Sequence, residues 1–187
     1  MTPKEVIKLA KDKDIKIVDL KLCDIIGTWQ HFAIPVSELT DDVFENGLGF
    51  DGSSIRGWKV IHSSDMLVFP DAVTAFIDPF AANATLSISC DTVDPLTRQP
   101  YERDPRGIAK KAEAYLKSTG IADTAYFGPE AEFFIFDSVT YDGGSHFANY
   151  KVDSIEGVWN RGKEKEDNGS PNLGYKIRPK EGYFPVA

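Results

Sequence analysis

Between positions 94 and 105 the chain reads Asp-Pro-Leu-Thr-Arg-Gln-Pro-Tyr-Glu-Arg-Asp-Pro, with three prolines and few strand-forming residues. Each proline fixes its own φ and removes a backbone donor, so no regular element runs through such a stretch. It reads as a linker, and the chain must therefore fold as two units. The 187 residues suffice for one large domain, or for a small domain and part of another. About 80 residues follow the linker, with a polar tail, which is short for an independent domain. The second unit is therefore expected to be truncated.

Before the linker the pattern is that of a small, mostly β unit. Thr2, Pro3 and Glu5 form a capping-box pattern with proline at the first helical position, and Val6, Ile7, Leu9 and Ala10 give that helix, within residues 1–13, an apolar side. Ile15 to Leu22 and Gly27 to Ile34 read as a strand pair around a turn containing Asp24. Ser37 to Asn46 predicts a short helix stopped by Gly47. Gly49 to Trp58, with three glycines in ten residues, predicts a loop. Met66 to Phe69, Thr74 to Ile77 and Thr85 to Cys90 read as further strands. After the linker, Asp104 as N-cap and Pro105 at the first position open a helix with Ile108, Ala109, Ala112, Tyr115 and Leu116 on one side, ended by Gly120. A strand over 124–136 and a polar segment to about residue 176 follow. The charged run Arg161 to Asp167 reads as a solvated loop.

The strand carries the chemistry. In Phe127-Gly-Pro-Glu130-Ala-Glu132-Phe-Phe-Ile-Phe136 the two glutamates are one residue apart, so in a strand both point to one face with Cα atoms roughly 6 to 7 Å apart. Phe134 and Phe136 continue that face, and Ala131, Phe133 and Ile135 occupy the other, so the segment reads as buried on both sides. Two like charges there raise each other's pKa unless a cation compensates. A hard divalent cation such as Mg²⁺ takes one or two protein carboxylates and leaves its other positions to water and phosphate. The alternative is an ordinary solvated face of an edge strand.

Composition narrows the remaining classes. No stretch is apolar and long enough to span a bilayer. The start has no apolar signal region, which points to the cytoplasm. Cys23 and Cys90 are the only cysteines and make neither a disulfide framework nor a zinc set. His31, His62 and His146 lack ligand-like spacing, and Trp58 and Trp159 read as packing residues. A net charge of −8 with dispersed lysines disfavours nucleic acid as a partner.

Three motifs in order, Gly49-Phe-Asp-Gly-Ser-Ser-Ile-Arg-Gly-Trp58, Phe127-Gly-Pro-Glu-Ala-Glu-Phe-Phe134 and Gly182-Tyr-Phe-Pro-Val186, strongly resemble glutamine synthetase of the bacterial type. Trp29-Gln-His-Phe32, Ser64-Asp-Met66 with Pro70-Asp71, and Val152-Asp-Ser154 with Trp159-Asn160 agree, so the resemblance covers the whole chain. It implies an α+β protein: an N-terminal helix (1–13), a β-grasp domain (14–98), a linker (99–104) and an incomplete catalytic domain from 105 to 187. It also implies a homo-oligomer of stacked rings, typically dodecamers, with active sites between subunits.

By the same resemblance, Glu130 and Glu132 match ligands of two different Mg²⁺ or Mn²⁺ ions. ATP phosphorylates the γ-carboxylate of L-glutamate, the cations neutralise the phosphates, and ammonia displaces phosphate to give glutamine. Asp51 matches the aspartate that a neighbouring subunit contributes to bind ammonium and take its proton, and Ser54 and Tyr183 match residues lining that site. Standing alone, Asp51-Gly52 also reads as simple turn chemistry and Tyr183 as a core aromatic. Glu181 departs from the family, which usually has a second glycine before Gly182. The family's remaining metal ligands and glutamate-binding arginines lie beyond the position of Ala187, so the 187 residues alone are expected to be inactive. Two alternatives stand beside this one: a related ligase joining glutamate to a larger amine, against which the intact Asp51-Gly-Ser-Ser54 speaks, and a non-catalytic truncated subunit acting as an interaction protein.

Overall fold

The computed structural model describes residues 1–154. Its contacts divide the chain into two units, Met1–Tyr126 and Phe127–Ala187.

Local rules set the first unit's opening. Helix α1, Pro3–Asp12, starts with a complete capping box: the Glu5 amide donates to Thr2 Oγ1 at 3.3 Å and the Thr2 amide to Glu5 Oε2 at 2.7 Å. Strands β1 (Ile17–Cys23) and β2 (Trp29–Pro35) pair antiparallel, with Ile17 opposite Pro35 and Cys23 opposite Trp29. Where one helix was expected over 37–46, a 3-10 turn, Val36–Glu38, precedes α2, Asp41–Asn46. Leu39 and Thr40 leave helical dihedrals between them, and Thr40 sits extended at the N-cap. Gly47 ends α2 at φ 75°, where a side chain would also press on the Val68 carbonyl oxygen. The start of the expected loop 49–58 is instead β3, Leu48–Asp51.

β4 (Asp65–Pro70), the two-residue β5 (Phe76–Ile77) and the nine-residue β6 (Thr85–Val93) complete the sheet, in the order β2-β1-β6-β4-β3 with β5 also on β6. β1 and β6 run parallel and every other pairing is antiparallel. Alternation in β1 buries Val18, Leu20 and Leu22, which pack with Val6 and Ala10 of α1, Met66 and Val68 of β4, and Leu86, Ile88 and Cys90 of β6. Fully burying a side chain of this size contributes about 1.5–3 kcal/mol, so this face holds the unit together. Burial also pushes the Cys90 thiol up to about 12, as expected of an inert core residue.

The proline-rich stretch is folded onto this sheet. Asp94 accepts the Leu96 and Thr97 amides, Pro100 bridges Val93, and Tyr101 is buried with its hydroxyl donating to the Trp58 carbonyl at 2.7 Å. Helix α3, Pro105–Thr119, then starts at the expected N-cap, Asp104, whose Oδ1 accepts from the Arg106 amide at 2.9 Å. Its apolar stripe is not buried: Ile108, Ala109, Ala112 and Tyr115 are exposed and Leu116 half-buried.

The second unit departs furthest from expectation. No strand forms over 124–136; the segment is irregular and exposed, Phe133, Phe134 and Ile135 included. A strand buried on both faces needs hydrogen-bonded neighbours and a layer on each side, and the described residues supply neither. The polar segment after it holds an unforeseen hairpin, β7 (Ser138–Gly144) and β8 (Phe147–Asp153), paired from Ser138–Asp153 to Gly144–Phe147. Tyr183, Glu181 and Trp159 lie outside the described residues.

Candidate functional site

The loop after β3 is held from its backbone outward. Asp51 pairs with Asp65 across β3 and β4, and its Oδ1 accepts from the Ser53 amide at 2.8 Å and the Ser53 hydroxyl at 2.6 Å. This caps a 3-10 turn, Gly52–Ser54. The Gly52 amide donates to the Ser64 carbonyl at 2.8 Å, and a Cβ there would stand 2.5 Å from Met66 Sδ and 2.9 Å from its Cγ. Only glycine lets the loop lie this close to β4. The Ser53 hydroxyl, then its amide, then a smaller share from the Ser64 side chain, hold the Asp51 carboxyl below the usual carboxylate range against some desolvation.

Asp51 and Ser54, two residues expected to act together, line one pocket of about 250 Å³ with Gln30, Phe32, Phe50 and Ile55. That volume falls below the usual range for drug-sized ligands and suits something small. Phe32 stacks on Phe50 at 6.4 Å, Phe50 meets Trp58 edge-on at 6.3 Å, and Trp58 tilts against Tyr101 at 5.2 Å, so an aromatic row supports the pocket wall. Gln30 is fixed by the β1–β2 turn: its Nε2 donates to Asp24 Oδ2 at 3.0 Å, and Asp24 Oδ1 accepts the Ile26 and Thr28 amides at 3.1 and 2.8 Å. Burial pushes the Asp24 carboxyl up, but the Gln30 side chain and the Thr28, Ile26 and Gly27 amides together outweigh it and hold it below its ordinary value. Sequence reasoning gave no role to Ser53, Gln30, Phe32 or Phe50, while Trp58 packs in the aromatic row as expected. Only Ser53 carried a local signal, the Asp-x-Ser turn pattern.

Glu130 and Glu132 are exposed on the irregular segment, not side by side on a strand face. Among the described residues no three His, Cys, Asp or Glu side chains come together in a group able to hold a metal ion. The two carboxylates are the right donor type for a hard cation but, as they stand, do not make a site for one. Also among the described residues, no helix is long and apolar enough to cross a membrane.

Family models match both halves of the chain in order: the glutamine synthetase β-grasp domain over residues 14–95 and the glutamine synthetase catalytic domain over residues 102–187. The chain belongs to the glutamine synthetase family. It is 59% identical over 186 residues to glutamine synthetase of Mycobacterium bovis, covering 100% of this chain and 39% of that protein. With glutamine synthetase of Aquifex aeolicus the identity is 55% over 185 residues, covering 99% and 38%. The chain thus spans about two fifths of the length of the curated relatives it matches. Among solved structures, the cryo-EM structure of Plasmodium falciparum glutamine synthetase aligns with a TM-score of 0.73 at 27% identity, over 100% of this chain and 36% of that one. A structure of GmaS bound to ADP aligns at 0.55 and 20% identity over 61% of this chain and 26% of that one, which speaks to the fold alone. The expected family and the mixed α+β fold are borne out. Neither the larger-amine ligase nor the interaction protein is favoured. Asp51 and Ser54 fall within the glutamine synthetase β-grasp match, Glu130 and Glu132 within the catalytic match.

Proposed function

We propose that the protein takes part in ATP-dependent ligation of L-glutamate and ammonium to L-glutamine through γ-glutamyl phosphate. It does so as a subunit of a cytoplasmic homo-oligomer, with residues 14–98 as the β-grasp unit, 99–104 as the connection and 105–187 within the catalytic unit. One observation carries this: the ordered pair of glutamine synthetase matches, with Asp51 and Ser54 on one pocket wall inside the first.

In this reading Asp51 binds ammonium. Its carboxyl is held below the ordinary carboxylate range, so it stays charged further into acid, which favours capture of the cation; the same shift makes it a weaker base. Ammonium has no lone pair, so one N–H bond breaks before the nitrogen attacks. The proton passes to Asp51, the freed electron pair forms the C–N bond, and phosphate leaves the acyl carbon, the attack drawing forward a proton transfer that is uphill to so weak a base. Asp51 is exposed, so water partly screens the charge interaction; Phe32, Phe50 and Ile55 bound the pocket on its apolar side, with His31 also in its lining. Tyr183 completes this ammonium set by resemblance. Divalent ions, Mg²⁺ or Mn²⁺, supply phosphate neutralisation in the family, and Glu130 and Glu132 are proposed as ligands to them. The described geometry does not assemble a site around those two residues.

Subunit mixing tests the assignment. In the assembled full-length enzyme, Asp51→Asn should retain glutamate phosphorylation better than amide formation. Mixing Asp51→Asn subunits with Glu130→Gln subunits should regenerate some sites with both groups intact, and so some activity. Mixed oligomers with no more activity than either parent would show that Asp51 does not act across a subunit boundary.

A further inference from the structure

Resting on the reading of Asp51 as the ammonium carboxylate, we infer that Ser53, which the resemblance gives no role, is the positioning residue of the site. Asp51 ends a strand and is exposed, and an exposed carboxylate ordinarily samples several orientations. Here its Oδ1 is tied twice to a single residue, by the Ser53 amide at 2.8 Å and the Ser53 hydroxyl at 2.6 Å. Ser53 cannot move to follow the carboxylate. Gly52 before it is clamped between the Ser64 carbonyl and the buried Met66 side chain, and the Ile55 amide after it closes back on the Gly52 carbonyl at 3.3 Å. The turn therefore works as a bracket, fixing the direction from which the carboxylate addresses the pocket that Ser54 also lines. Charge-assisted bonds of this length also favour the ionised form. The other ionisable groups around the loop are His31 on β2, drawn to Asp19 at 2.6 Å; Asp65, opposite Asp51 in the strand register; and Lys59, whose Nζ lies 3.3 Å from Asp94. None of these is bonded to Asp51, so Ser53 is its main partner.

Two measurements test this. In the 187-residue chain, the Asp51 carboxyl carbon is followed by NMR as pH is lowered, with Asp51→Asn identifying the signal. Ser53→Ala should raise the Asp51 pKa towards the ordinary carboxylate value, and Ser53→Thr, which keeps the hydroxyl, should leave it close to wild type. In the assembled enzyme, Ser53→Ala should raise KM for ammonium roughly three- to tenfold, about what one ordinary hydrogen bond is worth net of water, with KM for glutamate and for ATP unchanged. The acidic limb of its ammonium dependence should move to higher pH, and Ser53→Thr should restore both. If Ser53→Ala loses its dispersed amide spectrum, Ser53→Cys replaces it with a weaker donor of similar size and carries the same expectation. An unshifted Asp51 pKa, or equal losses towards all three substrates, would overturn the positioning role. If Asp51→Asn itself leaves the ammonium KM unchanged, the ammonium reading of Asp51 fails instead, and the role of Ser53 in the site falls with it.

Discussion

Replacing Asp104 by alanine should be among the most damaging single changes in the first unit. Asp104 is 2% exposed, and Oδ2 accepts from both the Thr92 amide at 3.1 Å and the Thr92 hydroxyl at 2.9 Å, while Oδ1 caps α3 through the Arg106 amide. Thr92 is itself 1% exposed, so water cannot readily replace the lost carboxylate. Each stranded buried donor costs about 1–3 kcal/mol, and loss of the cap about 1 kcal/mol. Allowing the Thr92 hydroxyl to find a poorer acceptor, the expected loss is about 4 kcal/mol. The Arg106 links to Asp71 and Asp91 and the Lys110 link to Asp91 lie nearer the surface, where such pairs contribute about 0–1 kcal/mol each, and will not make up the difference. Set against a typical domain stability of about 5–15 kcal/mol, this is a large share. Urea unfolding followed by far-UV circular dichroism and tryptophan fluorescence should show the midpoint falling by about 2 M for an m-value near 2 kcal/mol/M. Asp104→Asn keeps one acceptor and should lose about half as much. A shift below about 0.5 M in Asp104→Ala with m unchanged would refute the reasoning, since it would mean that Thr92 has other partners.

Gly52→Ala should destabilise the first unit by about 1–3 kcal/mol, because its Cβ runs into Met66 in a filled core; an unchanged urea midpoint would mean that Met66 swings aside freely. Acid should weaken the fold through Asp24, Asp51 and Asp94, each held below its unfolded value. Their stabilisation is present above the ordinary carboxylate pKa and is lost as pH falls through the lowered one. Asp24→Asn should accordingly flatten the decline of stability below about pH 4, as read from urea midpoints in a pH series; a slope equal to wild type would remove Asp24 from the account.

What could be read from the sequence was what neighbours along the chain decide. Thr2 with Glu5, Asp104 with Pro105, and Gly47 all set helix ends within four residues, and the alternation of Val18, Leu20 and Leu22 fixes the buried face of β1. The failures have a common cause in partners elsewhere. Phe133 to Phe136 have strong strand character, but character does not provide a neighbouring strand, and the segment stays irregular. The hairpin of β7 and β8 went unread because its apolar residues, Val139, Tyr141, Phe147 and Tyr150, are exposed and interspersed with polar ones, and because the two residues joining the strands, Ser145 and His146, are not a usual hairpin-turn pair. At the site, Asp51 and Ser54 were found by motif. Gln30 and Phe32 lay in the matching Trp29-Gln-His-Phe32 but were given no role, because only the fold brings β2 to the same pocket as Asp51, some 20 residues further along the chain.

The parallel pairing of β1 with β6 sets a timetable for synthesis. Ile17 cannot meet Thr85 until roughly 70 further residues have been made. At about 5–20 residues per second that is an interval of about 3 to 14 s. The β1–β2 hairpin can close early, but Val18, Leu20 and Leu22 then wait on an uncovered face with one edge of β1 unpaired. For those seconds the nascent chain carries an adhesive strand that the mature fold hides. A pause in translation between Cys23 and Thr85 prolongs that exposure, whereas one made once Val93 has emerged from the ribosome leaves it unaffected.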